Sequence, residues 1–421
     1  MPFTEIQLTH NTKGHFLNST QVFSPDDEWI VYDTRNSDGG TGVTGSIEMV
    51  NTETGEIKPL YQTQNQTEYG PGVGAATFSP IDQTVLFIHG IRNANAKMPY
   101  GFGRRTGVGI HTDQPFRPLF FDARYITPPF TPGALRGGTH AHTWSGDGQW
   151  ISFTYNDYVM EQLGKTDTAV KDLRTIAVMF PQKVMVPGDT SMENNDGEYF
   201  AAVVAKVTES PAPGTDEIDK AFDEGWIGKN GYQKADSSWQ HRAVAFQGNV
   251  RNAKNETIAE VFVADIPDDI TKAIPGSPLE GTSTSRPNPP QGAVQRRITH
   301  TEKGVQGPRH WLRTTSDGKM ILFMANDDKG VAQVYAVSPN GGAITQVTYN
   351  DFPVQGPINI SPDNSYVSYI ADNSVFITDL QTHVSERLTP RSADEDAPIG
   401  AAIWSNDGKI MAYNRLVRKE G

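Results

Sequence analysis

Three histidines and a scatter of arginines are the residues of this chain whose types and spacing could do chemistry. Thr139-His-Ala-His-Thr-Trp-Ser-Gly-Asp-Gly148 aligns on its turn with Arg309-His-Trp-Leu-Arg-Thr-Thr-Ser-Asp-Gly318, which sets His140 opposite His310. His142 lies two residues beyond His140 and therefore shares its strand face. Three converging imidazoles could hold a divalent metal, Mn²⁺ or similar, with Glu198 or Gln306 completing the shell. The competing reading makes them structural plugs that hydrogen-bond neighbouring repeat units. Arg104, Arg105, Arg136 and Arg309 surround these histidines in sequence, and a guanidinium fork matches a carboxylate or phosphate; surface ion pairing is the plainer alternative. Tyr155, Asn156 and Asp157 follow a strand that ends on the same side, offering Asp157 or Tyr155 as a base. Trp311 and Tyr100 could stack on a sugar ring, or simply pack.

Elements must bring these residues together, and composition restricts which. The chain has 421 residues, 36 Lys+Arg against 49 Asp+Glu, a formal net charge of −13 and no cysteine. Without cysteine there is no disulfide framework, thiolate metal site or cysteine nucleophile. The acidic balance argues against a nucleic-acid or anionic-membrane surface. No segment approaches the roughly 20 apolar residues of a bilayer span, and the start, Met-Pro-Phe-Thr-Glu-Ile, lacks a basic and an apolar export region. The cytoplasm is the expected compartment.

A repeat organises the chain. Gln21-Val-Phe-Ser-Pro-Asp-Asp-Glu-Trp-Ile-Val-Tyr32 recurs as Thr77 to Phe87, Thr143 to Phe153, Thr315 to Phe323, Ile360 to Tyr369 and Ile403 to Tyr413, each a strand, a polar turn and an aromatic-rich strand. Two further strands follow each turn, so each unit is a four-stranded propeller blade. The long interval between Ser145 and Ser316 has room for a hidden fourth unit, assigned to strands at 200–205, 243–247, 260–264 and 294–299. The expected fold is all-β: one domain over 1–421, a seven-bladed β-propeller closed by the N-terminal strand at residues 5–9 joining the last blade. Insertions at 207–241 and 267–291 interrupt blade four, the first containing a short acidic helix that ends at Gly225. The long loops at 34–45, 89–106, 122–139 and 155–173 gather on one face, which marks the working face.

At Leu135-Arg-Gly-Gly-Thr-His-Ala-His142, Phe153-Thr-Tyr-Asn-Asp157, Glu224-Gly-Trp226, Val294-Gln-Arg-Arg-Ile-Thr299 and Pro308-Arg-His-Trp311, the chain resembles the YidR-like family of bacterial β-propeller proteins over nearly its whole length. The resemblance implies a biofilm-related or binding role. A nucleotide-binding label given to some members finds no match here, because Val159 stands where a P-loop ending in Gly164-Lys-Thr166 needs its first glycine. More distantly, the repeat is similar to TolB-type propellers and to the oligogalacturonate lyases, whose seven blades hold manganese on histidines and a glutamine at the channel mouth. That likeness implies metal ligands at His140, His142 and His310, with Gln306 and Gln355 as candidate glutamines.

Two functions follow. The first is a metal-dependent carbohydrate-active enzyme acting on a small acidic sugar or oligosaccharide by β-elimination. In it the histidines hold Mn²⁺ or a similar ion, Arg105, Arg136, Arg309 and Trp311 bind the anion, and Asp157 or Tyr155 takes the proton. The second is a non-catalytic platform gripping a protein or glycan partner, which the same architecture supports equally well.

Overall fold

The polar turn of five of the six repeats is one hydrogen-bonded device, Ser79 of the second instead accepting the Ile81 and Asp82 N–H groups. In the computed structural model, which describes residues 3–188 and 191–417, the hydroxyl of Ser24, Ser145, Thr315, Ser361 or Ser405 bonds the Asp two residues on. The same hydroxyl accepts the backbone N–H of Trp29, Trp150, Met320, Tyr366 or Ile410, five residues on. This local side-chain bonding terminates one strand and starts the next without a long loop. In the fifth unit the hydroxyl belongs to Thr315, one residue ahead of Ser316.

Between these turns, β-branched and aromatic residues form antiparallel sheets buried on both faces, as the run Val85, Leu86, Phe87 and Ile88 shows. The first sheet pairs Trp29–Asp33, Ser46–Asn51 and Ile57–Gln62, with the preceding segment bridged to it at Phe16 and Phe23. The second contains Val73–Phe78, Thr84–Gly90, Arg105–His111 and Leu119–Phe120. The third contains Gly138–Trp144, Ile151–Asn156, Thr175–Val184 and Gly197–Val203. The fourth contains Ala221–Trp226, Ala243–Arg251, Thr257–Asp265 and Val294–Arg297. The fifth and sixth start at Arg313–Thr314 and Gln355–Ile360, and a hairpin of Pro398–Trp404 and Met411–Arg415 follows. Sheets adjacent in sequence pack face to face. Ala401 and Ile403 of the final hairpin share a hydrophobic cluster with Val22, Phe23 and Val31 of the first unit. The fold is all-β and propeller-like. Among the described residues, no helix is long and apolar enough to cross a membrane.

Three expectations about the elements change. The acidic stretch read as a helix is the strand Ala221–Trp226, the innermost of the fourth sheet, and residues 200–205, expected there, belong largely to the outer strand Gly197–Val203 of the third. Tertiary pairing overrides local preference here, since Asp223 and Glu224 are buried against the neighbouring sheets. What interrupts the fourth sheet is therefore the small hairpin of Tyr232–Gln233 and Trp239–Gln240 together with the expected loop at 267–291. Residues 5–9 form no strand. The N-terminal stretch instead meets the last hairpin through side chains: Arg415 pairs with Glu5 at 2.9 Å, and Asn414 bridges Leu17 N–H (2.8 Å) and the His15 carbonyl (2.6 Å).

The lower ends of the innermost strands are laced together. Gln21 exchanges two hydrogen bonds with the Trp144 backbone, at 2.8 and 2.9 Å. Arg313 donates to Asn359 Oδ1 (3.1 Å) and to the Ser19 carbonyl (3.0 Å), and Asn359 donates to that same carbonyl at 3.0 Å. Trp226 Nε1 reaches the Thr143 carbonyl at 3.0 Å. Because these bonds join the first unit to the third, fifth and sixth, they make a floor beneath the upper mouth.

Candidate anion-binding site

Above the floor the innermost strands share a β-bulge, at His140/Thr143 in the third sheet and Phe222/Gly225 in the fourth. Its first residue is left-handed, Ala141 at φ 57° and Asp223 at φ 56°. A bulge re-aims the side chains around it. In the fourth sheet this places the Asp223 carboxylate against Arg309, whose Nε and Nη2 lie 3.2 and 3.1 Å from Oδ1. Arg309 is half exposed and stacks on Trp311, 4.7 Å from the ring centroid.

Arg105 opens the third strand of the second sheet and is only 6% exposed. Its guanidinium lies between the rings of Tyr100 and Phe102, 4.7 Å from each centroid, and Nη1 donates to His140 Nδ1 at 2.8 Å. His140 is thereby fixed as the tautomer protonated on Nε2. Burial first, then the charges of Arg105, Arg174 and Arg309, hold its pKa well below the usual imidazole value, so it stays neutral. Arg174 lies over the same Phe102 ring at 5.0 Å, its Nε held by Asn156 Oδ1 at 3.1 Å, and Asn156 is anchored on Asp172 at 2.8 Å. Arg35 is locked on both oxygens of Asp33, at 2.7 and 2.8 Å. Among the described residues, Arg35 and Arg309 have carboxylate partners in ion-pair contact and Arg105 and Arg174 have none. The cluster presents donors and uncompensated positive charge, which suits an anion.

Of the residues singled out from sequence, His140, Arg105, Arg309, Trp311, Tyr100 and Asn156 meet here, and the others do not. Asp157 is buried and both its oxygens are engaged. One accepts Arg136 Nε at 2.9 Å, and the other caps the helix Tyr158–Gly164 by accepting Met160 N–H at 3.0 Å. It has no free oxygen to serve as a base. Tyr155 is buried beside it, and burial, then the Asp157 charge, pushes its hydroxyl well above the usual phenol range, so it is no base either. Arg136 is fully buried and binds the carbonyls of Thr282 and Ser285, so it fastens the 267–291 loop and orients no ligand.

The expected metal centre does not assemble. His142 is fully buried against Phe153, with Nε2 2.9 Å from Thr139 Oγ1. His310 uses both ring nitrogens on backbone: Nδ1 lies 2.8 Å from the Pro308 carbonyl and Nε2 accepts Met324 N–H at 2.8 Å. The fifth sheet has only two residues in its inner strand, and this ring substitutes for the missing ladder. His140 faces a guanidinium. Of the residues proposed to complete the shell, Glu198 pairs with Lys183 and Gln306 donates to the Lys303 carbonyl. Among the described residues no group of three His, Cys, Asp or Glu is placed to hold a metal ion. A cation here would also face the unpaired charges of Arg105 and Arg174. The histidines do not fit Mn²⁺, and His142 and His310 do not bond neighbouring units either: His142 meets Thr139 of its own strand, and His310 meets backbone of its own unit. Replacing His310 with alanine strands Met324 N–H and is expected to cost about 1–3 kcal/mol of stability, read as a lower midpoint in urea unfolding.

Sequence reasoning missed Arg174, Phe102, Asp223 and Glu224. Arg174 lies just past the 155–173 loop already assigned to the working face, which was the available signal. Glu224 is fully buried beside Ser152 without a well-formed hydrogen bond to either oxygen. Burial, reinforced by the Asp223 charge, raises its pKa from 4.5 to about 8. A raised carboxyl stabilises the fold in its protonated form, fully below the unfolded value and progressively less as pH climbs toward about 8. Glu224→Gln is therefore expected to flatten the fall in melting temperature across that window, and an unchanged pH profile would count against the buried neutral acid.

Comparison with known proteins agrees with this architecture. A family model described as "Protein of unknown function (DUF3748)" matches residues 72–194. An oligogalacturonate lyase from Vibrio parahaemolyticus superposes with a TM-score of 0.52 at 10% identity, covering 96% of this chain and 88% of its own. An oligogalacturonate lyase in complex with manganese gives 0.51 at 10% identity, covering 95% and 86%. At that identity the likeness is one of fold. YidR of Escherichia coli (strain K12), described as an uncharacterized protein, is 35% identical over 415 residues, 97% of this chain and 94% of its own length. Identity sustained from end to end at that level makes this chain a member of the YidR family.

Proposed function

We propose that the protein is a single-domain, seven-bladed propeller that binds a small acidic sugar or oligosaccharide at the Arg105–Arg174–Arg309 cluster. Seven successive units, five of them complete four-stranded sheets, support the blade count, and the shared cluster of Ala401 and Ile403 with the first unit supports closure through packing. The observation that carries the ligand class is Arg105: a guanidinium 6% exposed, with no carboxylate partner among the described residues, in a chain of net charge −13. The saccharide class is taken from the two lyases that share the fold. Arg105 and Arg174 would grip the carboxylate, and His140 Nε2–H would donate to a hydroxyl or ring oxygen. In a uronate the same grip draws charge off the carboxylate and acidifies the adjacent proton, the electrostatic part of β-elimination. In that chemistry the arginines supply the neutralisation first assigned to a metal.

Calorimetric titration with oligogalacturonate and with a neutral galacto-oligosaccharide tests the reading. Only the acidic ligand is expected to bind, and added manganese is expected to leave both the affinity and the melting temperature unchanged. An ultraviolet assay for unsaturated uronate then separates lyase from binding platform: binding without product assigns the platform. No binding of any acidic saccharide would overturn the proposal.

A further inference from the structure

The mouth holds four guanidiniums, and their compensation is uneven. Arg35 is neutralised by Asp33 and Arg309 by Asp223. Arg105 and Arg174 hydrogen-bond neutral partners, His140 and Asn156, and among the described residues make no ion-pair contact, Asp223 and Asp172 acting on Arg174 only from longer range; both lie over one ring, that of Phe102, which keeps them within two stacking distances of each other. Arg105 Nε is buried without a hydrogen-bond partner, and His140 has its acceptor nitrogen occupied, so the groups facing a ligand are donors. Phe102, itself exposed, spaces the two charges rigidly, since a stacked guanidinium gives up little further freedom on binding.

Resting on the saccharide-binding reading, we infer that the site is built for a dianion: a ligand carrying two negative charges, as two neighbouring carboxylates or one phosphate monoester, that compensates Arg105 and Arg174 together. A monoanion leaves one of two adjacent guanidiniums uncompensated in a poorly hydrated place, and each charge-assisted bond formed there adds to affinity. The second negative charge is expected to tighten binding at least roughly tenfold.

Four probes decide it, titrated calorimetrically into the full chain above the second phosphate ionisation: galacturonate (one charge), digalacturonate (two carboxylates), galactose phosphate (one dianionic group) and galactobiose (neutral). Tighter binding of digalacturonate alone supports the inference with paired carboxylates as the source, and of galactose phosphate alone with a phosphate. Galacturonate binding as tightly as both dianions overturns the inference and leaves the saccharide reading standing, whereas no binding by any acidic probe overturns that reading as well. Arg174→Met removes one of the two charges and is expected to erase the preference by weakening the dianions more than galacturonate, a cooperative thermal melt showing that the variant is folded; a preference that survives it overturns the assignment to this pair. Should that variant not fold, raising the salt concentration on the unaltered protein must shrink the preference, and a salt-independent preference overturns the electrostatic origin.

Discussion

Arg105→Met is expected to weaken binding of an acidic oligosaccharide by about 2–4 kcal/mol, a loss of roughly 30- to 1,000-fold. Methionine retains a flexible apolar body between Tyr100 and Phe102, so the aromatic walls stay supported while the charge goes. Stability should hold or improve. Burial disfavours the Arg105 charge, Arg174, Arg309 and Arg35 repel it, and no carboxylate within ion-pair distance offsets either effect. Lost affinity with an unchanged or higher melting temperature is the trade expected where a site carries an uncompensated charge for its function, whereas structural damage would move both downward. Calorimetry and a thermal melt on one preparation read both quantities. Undiminished affinity would remove Arg105 from the site.

Arg136→Ala should do the reverse, destabilising the fold by about 3–5 kcal/mol, because it strands a buried carboxylate. Asp157 would keep its cap on the helix Tyr158–Gly164 but lose the cation paired with it, with Asp172 close by on the Asp157 N–H at 2.9 Å. The carbonyls of Thr282 and Ser285 would lose their donor together, freeing the loop that lies across the third sheet. A double variant, Arg136→Met with Asp157→Asn, should recover part of the loss, since removing both charges costs less than isolating one. Urea unfolding measures each corner of that cycle. A normal unfolding midpoint in Arg136→Ala, accompanied by failed ligand binding, would instead return Arg136 to the ligand.

Much of the architecture was legible because its determinants are local. A hydroxyl two residues before an aspartate, followed by alternating aromatic and β-branched residues, specifies turn and strand within about ten residues. The inner strand of the fourth sheet escaped, although its other three strands were legible, because it carries Asp223 and Glu224, whose pairing with Arg309 and burial against Ser152 come from distant parts of the chain. The histidines show the limit most clearly. His140 and His310 occupy the same place relative to their turns, yet one accepts from Arg105 at the mouth and the other fills a gap in a strand ladder. Residue type and spacing place an imidazole; what occupies its nitrogens depends on whether the adjoining backbone is already paired. Arg136 and Arg105 likewise look alike in sequence, and only the carbonyls that one meets and the carboxylates that the other lacks separate a fastener from a receptor.

In the proposed propeller, the bonds that Gln21, Arg313 and Asn359 make between units would close the central passage beneath the arginines. A long polysaccharide would then not thread through, only a chain end or a short fragment would reach the arginines, and whatever entered would back out the way it came. Traffic would be confined to a single doorway. Any cleavage performed there would trim from a terminus, with departure of the trimmed piece competing directly against arrival of the next.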